Sequence, residues 1–274
     1  MLTKITFLGA GSAFSYDNGQ NNLLIEMDEG TSKHKMLVDV GTQWHDMVHK
    51  VTGKKAFEFL PEVNSIFITH IHADHCGGLE EVGFLSRFMP HIGKKKIYAP
   101  AAILKELWDS TLRGGMESLD HGQLTEEEEN NPIGLRSYFT PSYLADNDKI
   151  KIGQTVIEPF DTVHVTNRMS TKDSCGLWIT TFSGKSIMFT SDTQFAPSQM
   201  KAKYKKADVI FHDCETSPVE FASEVHAHYE DLKTLPDEVR EKMWLCHYQD
   251  GPKPDCIKDG FAGWVEQGQS FDFV

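Results

Sequence analysis

A chain of 274 residues with a formal charge of −13, 39% apolar and 24% charged side chains is long enough to bury a large core and is a poor electrostatic partner for a polyanion, a balance that favours a small substrate. No apolar run approaches the roughly 20 residues that cross a bilayer. The cysteines (Cys76, Cys175, Cys214, Cys246, Cys256) are odd in number, scattered and never in C-x-x-C spacing, which argues against a disulfide framework and makes the cytoplasm the expected compartment.

The N-terminal MLTKITFLGAG reads as a strand, since it lacks the apolar core and small-residue cleavage site of a signal peptide. Further strand-like runs follow: NNLLIEM, KMLVDVG, SIFITHI, KKIYAP, IKIGQTVIEPFD, GLWITTF, KSIMFTS, DVIFHD and MWLCHY. Helical periodicity falls between some of them, over 42–51, 78–88, 101–112, 197–206 and 229–242. Residues 113–132 form the most polar and least periodic stretch and are expected to be a long loop. The lysine clusters at 94–96 and 201–206, and the run Glu126 to Glu129, read as solvated surface. No repeat, linker or low-complexity tract divides the chain. The expectation is one domain over 1–274, with two β-rich layers and helices outside.

Chemistry concentrates in SIFITHIHADHCGG, residues 65–78. Strand periodicity places His70 and His72 on one face, about 6.5–7 Å apart along the chain, close enough to converge on one metal. The following turn aims Asp74 and His75 at the same pocket, where they could hold a second ion. Further ligands are expected at other strand ends: His164 after EPFDTV, Asp192 after SIMFTS, and His247 after MWLC.

With these residues in order, the chain resembles the metallo-β-lactamase fold superfamily. FLGAGSA, LVDVGTQ, T-H-I-H-A-D-H and then a His, an Asp and a His span residues 5–247 and carry the resemblance. It implies a four-layered αββα sandwich, an α/β (α+β) fold with the site at one rim of the paired sheets. It further implies that His70, His72 and His164 bind one metal, that Asp74, His75 and His247 bind another, and that Asp192 bridges them. Asp39 then orients a ligand. Two zinc ions per chain suit an imidazole-rich set with carboxylates; manganese and iron are the alternatives.

Two decoys fail on inspection. His45 and His49 stand at i and i+4, but Asp46 replaces the glutamate of H-E-x-x-H, so a solvated helix face is the better reading. GAGSAF carries Phe14 at the third glycine position of a dinucleotide fingerprint and is followed by a strand, not a helix. Cys76, Cys214 and Cys246 adjoin site motifs and read as small residues packed beneath them.

A bridging aspartate resembles the phosphodiesterase, nuclease and thioester-hydrolase branches. Within these the chain is similar to the RNase Z-like branch, yet His164 and Asp192 are only 28 residues apart, so the tRNA-gripping arm of RNase Z is absent. The ending HAHYEDLKTLPDEVREKMWLCHY looks like that of the armless cyclic-nucleotide phosphodiesterases, a group that includes the phage anti-Pycsar proteins. The resemblance implies a homodimer that hydrolyses a 3′,5′-cyclic nucleotide, in the host cytoplasm if phage-encoded, with tRNA 3′ processing as the alternative. It also implies that Asp74 orients or deprotonates the attacking water, and that a histidine before a late helix protonates the leaving ribose oxygen. By position this is His226, with Asp213 or Glu215 as its orienting carboxylate. His228 is either the alternative donor or the cap of the helix starting at Tyr229.

Overall fold

The strand-like runs assemble into two seven-stranded sheets stacked face to face. The computed structural model describes residues 2–30, 32–166 and 174–274. The first sheet holds β1 (Leu2–Gly9), β2 (Asn22–Asp28), β3 (Lys33–Val38), β4 (Ser65–Phe67), β5 (Lys95–Pro100) and β6 (Phe139–Leu144). The second holds β7 (Ile150–Ile152), β8 (Thr155–Asp161), β9 (Cys175–Thr180), β10 (Ser186–Phe189), β11 (Val209–Asp213), β12 (Met243–Cys246) and β13 (Gly263–Trp264). The last strand, β14 (Ser270–Phe273), returns to the first sheet and pairs antiparallel with β1.

Each sheet begins as antiparallel hairpins and ends in parallel strands. In the first, β1 to β3 are antiparallel and β3 to β6 parallel. In the second, β7 to β10 are antiparallel and β10 to β13 parallel. Parallel strands need crossovers, and these supply the helices Trp44–Thr52, Leu79–Phe88, Ala101–Glu106 and Pro197–Lys206 that lie outside the sheets. The result is the αββα sandwich that the resemblance to the metallo-β-lactamase fold superfamily implies. The inner faces meet through aromatic residues: Phe7 of β1 lies 5.0 Å from Phe211 and 6.4 Å from Phe189, ring centre to ring centre. All three are fully buried, so truncating Phe7 to alanine is expected to cost about 3–5 kcal/mol.

Several elements differ from expectation, each for a local reason. The run SIFITHI stops being a strand at Phe67: Ile68 still donates to Tyr98, but the Thr69 amide turns to the Asp39 carboxylate, 2.8 Å away. The helix expected over 101–112 continues through a π-turn and a further α-turn to Met116, because Leu112 and Met116 extend its buried stripe. The helix expected over 229–242 is two short helices, Tyr229–Leu232 and Asp237–Arg240. Pro236 separates them, since it lacks an amide hydrogen and pushes Leu235 out of helical geometry. Glu128 is not simply solvated: it forms a bidentate pair with Arg87 at 2.8 and 2.9 Å. Strand β6 and the short strands β13 and β14 lie outside the strand-like runs of the sequence. The segment 167–173, part of the strand-and-turn interval between His164 and Asp192, lies outside the described residues. Among those described, no helix is long and apolar enough to cross a membrane.

Candidate metal centre

Polar residues of the site lie at or just past the carboxyl ends of β3, β4, β10, β11 and β12, where parallel strands of both sheets open onto a common rim. Three of the strands turn sharply there. Asp39, Ser191 and His247 have φ of 65°, 51° and 64°, a left-handed conformation that non-glycine residues adopt only when their surroundings enforce it. The surroundings do enforce it. The Asp39 amide donates to Phe67 at 2.8 Å and the His247 amide to Ala10 at 2.6 Å. Gly41 completes the turn after β3, where a Cβ would stand 2.1 Å from the Asp74 carbonyl oxygen.

These turns bring seven side chains into two groups that share one carboxylate. In the first, His72 Nδ1 lies 3.1 Å from His70 Nε2 and 3.0 Å from His164 Nε2. Asp192 Oδ2 stands 3.7 and 3.6 Å from His70 and His164. In the second, His75 Nε2 is 3.1 Å from Asp74 Oδ2 and 3.2 Å from Asp192 Oδ1. His247 Nε2 is 3.4 Å from Asp74 Oδ2 and also 3.4 Å from Asp192 Oδ2. A tetrahedral ion with metal–nitrogen bonds of about 2.0–2.1 Å needs ligand atoms roughly 3.3 Å apart. Both groups bracket that spacing, and each fits as a site for a metal ion.

The charges support the same fit. Asp39, Asp74, Asp192 and Asp213 are all buried, and among the described residues the ion-pair partners of all four are histidines. His75 gives its Nδ1 hydrogen to Asp39 at 2.8 Å, so in the neutral ring Nε2 is an acceptor facing two carboxylate oxygens. His75 Nε2 and Asp192 Oδ1 are buried without a hydrogen-bond partner. Acceptors facing one another in a dry pocket require either a proton or a cation between them. Where protons fill that role, burial opposes the charge on His75 and His247, but Asp192 and its neighbouring carboxylates outweigh burial and raise both well above the ordinary histidine pKa. Burial, reinforced by His75, lowers His70 well below it. Burial also pushes Asp74 upward, yet His75 and His247 hold its carboxyl far below the usual range.

A surrounding layer fixes the ligands. Asp39 takes the Thr69 amide and hydroxyl at 2.8 and 2.7 Å besides His75. His164 donates from Nδ1 to the Val225 carbonyl at 2.8 Å, which turns Nε2 toward the cluster. Asn22 bridges the two turns, accepting from the Gly41 amide at 2.7 Å and donating to the Asp74 carbonyl at 3.0 Å. Asp213 Oδ2 accepts from His226 Nδ1 at 2.7 Å and from the Thr193 amide at 2.8 Å, and its Oδ1 lies 3.3 Å from His247 Nδ1. The His226 ring sits 4.9 Å from His164 and 4.6 Å from His247, and Asp213, outweighing burial, raises its pKa.

Two sequence candidates are not brought to the cluster. His228 caps the short helix at Tyr229–Leu232: Nδ1 accepts from the Glu230 amide at 3.2 Å and Nε2 donates to the Ser217 carbonyl at 2.8 Å. With both nitrogens engaged, it is no proton donor to the site. Glu215 does not touch His226 either; its carboxylate faces Ser217 and Ser223. His70 and His72 do meet, though by a loop after β4 and not by strand pleating. His45 and His49 are exposed on their helix, and Cys76, Cys214 and Cys246 are buried, with burial pushing the Cys76 thiol up to about 12. Asn22 and the Val225 carbonyl escaped sequence reasoning. Neither belongs to a ligand motif, and a backbone carbonyl leaves no mark in composition.

Residues 3–271 match the family described as "Anti-Pycsar protein Apyc1". An anti-Pycsar protein Apyc1 from Bacillus phage 010DV004 is 30% identical over 272 residues, covering 98% of this chain and 97% of that one. The metallo-β-lactamase fold protein YhfI from Bacillus subtilis superposes over 100% of both chains with a TM-score of 0.71 at 13% identity. The short form of human tRNase Z superposes over 98% of both with a TM-score of 0.63 at 18% identity.

Proposed function

We propose that this chain, which belongs to the anti-Pycsar protein Apyc1 family, is a metal-dependent phosphodiesterase that opens 3′,5′-cyclic nucleotides to nucleoside monophosphates, countering a cyclic-nucleotide antiphage signal. The observation that carries the reading is the placement of the Asp213–His226 pair, 2.7 Å apart, against the two groups His70, His72, His164, Asp192 and Asp74, His75, His247, Asp192; the pair forms a third such group with Asp192 and His247.

His70, His72, His164 and Asp192 would hold one divalent ion, and Asp74, His75, His247 and Asp192 the other; zinc suits this donor set, with manganese the alternative. Bound there, two ions supply Lewis acidity to the phosphate and a nucleophilic water at neutral pH. The chain's own residues do the rest. Asp74 orients the attacking water. The water oxygen, giving up one proton to the Asp74 carboxylate, bonds to phosphorus as the bond from phosphorus to one ribose oxygen breaks, and the ring opens. That ribose oxygen leaves with the electron pair and takes a proton from His226 Nε2. Asp213 holds the imidazole by Nδ1 and stabilises its charged form before transfer.

A small substrate accords with the charge of −13. The alternative, tRNA 3′ processing, uses the same residues but needs a surface for a long polyanion. The homodimer and the host-cytoplasmic location follow from the resemblance; light scattering behind a sizing column tests the first. The assignment is tested with a panel of cyclic mono- and dinucleotides, zinc- and manganese-loaded protein, and pre-tRNA. Monophosphate from a cyclic mononucleotide supports it; intact cyclic nucleotides together with cleaved pre-tRNA overturn it.

A further inference from the structure

Residues 216–226 lead from β11 to the His226 position, and none of them is buried. Val219 and Phe221 are 65% and 74% exposed, so no apolar anchor sets the course of this loop. Polar contacts set it instead. The Glu215 carboxylate, only 3% exposed as a residue, accepts from the Ser217 hydroxyl at 2.5 Å and the Ser223 hydroxyl at 2.7 Å. It also accepts from the Ser223 amide, at 3.0 and 3.1 Å to its two oxygens. Ser217 is gripped a second time, its carbonyl accepting from His228 Nε2 at 2.8 Å. Beneath the loop, the Glu215 amide donates to the Ala227 carbonyl at 2.8 Å and the Tyr229 amide to the Glu215 carbonyl at 3.0 Å.

We infer that Glu215 and His228 form a latch that closes the 216–226 loop and thereby positions two parts of the site at once. Immediately past the latch, Glu224 takes a left-handed turn with φ of 61°. Val225 then presents the carbonyl that holds His164 Nδ1, and His226 reaches Asp213. One carboxylate that meets no reacting atom thus sets the orientation of a candidate ligand and of the proton donor. The inference rests on the phosphodiesterase reading for its catalytic consequence, but the latch itself has a separate readout.

Removing the carboxylate releases an exposed loop to water, since the freed serine groups are close to solvent and find other partners there. The fold is therefore retained while the loop loosens. Glu215→Ala at saturating metal is expected to lower kcat on a cyclic nucleotide about 10–100-fold, the usual consequence of losing an outer-layer partner. The loss is smaller on a p-nitrophenyl phosphodiester, whose leaving group needs no proton. Amide exchange across 216–226 rises, and the cobalt-substituted protein shows an altered visible spectrum from the site containing His164. Glu215→Gln restores most of the activity, because its amide oxygen still accepts from Ser223 and its amide nitrogen can donate to the Ser217 hydroxyl.

Equal losses on both diesters, unchanged exchange across 216–226, or no rescue by glutamine would each overturn the inference. If the parent protein cleaves neither diester, the phosphodiesterase reading fails by itself. Hydrogen exchange and the cobalt spectrum still judge the latch: increased exchange and a changed spectrum in Glu215→Ala support it, and either readout left unaltered overturns it.

Discussion

His226 gives its Nδ1 hydrogen to Asp213 Oδ2 at 2.7 Å, and the other oxygen of the same carboxylate lies 3.3 Å from His247 Nδ1. One buried carboxylate therefore stands behind both a candidate proton donor and a candidate metal ligand. This arrangement separates the effects of changing either partner.

Replacing His226 by alanine removes the donor and leaves the two ligand groups intact. The expected loss in kcat on cyclic nucleotides is about 10²–10⁴-fold, the range for a positioned general acid. Metal content, measured by elemental analysis after gel filtration, is expected to match the parent. A variant that loses metal in proportion to activity would place His226 among the ligands instead.

The pH dependence follows from the same pair. The Asp213 carboxylate raises the pKa of His226, and the donor works only while protonated, so activity falls as pH rises through that pKa. Asp213→Asn removes the charge that favours imidazolium and lowers the pKa. The alkaline limb of kcat/KM is accordingly expected to move to lower pH, as read from a profile at saturating metal. A limb that stays in place or moves upward contradicts the assignment.

Metal binding should itself depend on pH. In the protein without ions, burial opposes the charge on His75 and His247, but the surrounding carboxylates keep both protonated well above the ordinary histidine range. An ion has to displace those protons. Apparent affinity is thus expected to weaken as pH falls, and binding to release protons into the buffer. Calorimetry in buffers of different ionisation enthalpy measures the release; a value of zero would mean that these two imidazoles are already neutral.

Asp39 offers a test away from the ligands themselves. It accepts from His75 at 2.8 Å and from Thr69 at 2.8 and 2.7 Å, which fixes the His75 ring and the start of the histidine loop together. Asp39→Asn cannot accept at both oxygens. Competition against a chromophoric chelator is expected to show metal affinity reduced about 10–100-fold.

Much of this was legible in the sequence, and the residues explain where legibility ended. The strand-like runs mark the sheets because β-branched and aromatic residues sit between turn signals, and His70 to His75 stand out because four ligand-type residues crowd one strand end. Strand pleating, however, is not what brings His70 and His72 together, since both lie beyond the strand Ser65–Phe67. The ladder ends when Thr69 turns to Asp39, a contact 30 residues distant in sequence that no local pattern reports. His228 shares its sequence neighbourhood with His226, so only the fold could separate them: one reaches Asp213, the other caps a helix. Glu215 lies near His226 in the sequence but holds Ser217 and Ser223 instead, serines that belong to no motif.

The most direct measurement is turnover of a 3′,5′-cyclic mononucleotide by the metal-loaded protein, followed by phosphorus NMR, beside the Asp192→Ala variant that removes the carboxylate common to both ligand groups. The account predicts conversion to the nucleoside monophosphate by the parent, loss of conversion on chelation and its return with zinc or manganese, and no detectable turnover by the variant. An intact cyclic phosphate after incubation with fully loaded parent protein, or undiminished turnover by Asp192→Ala, would contradict it.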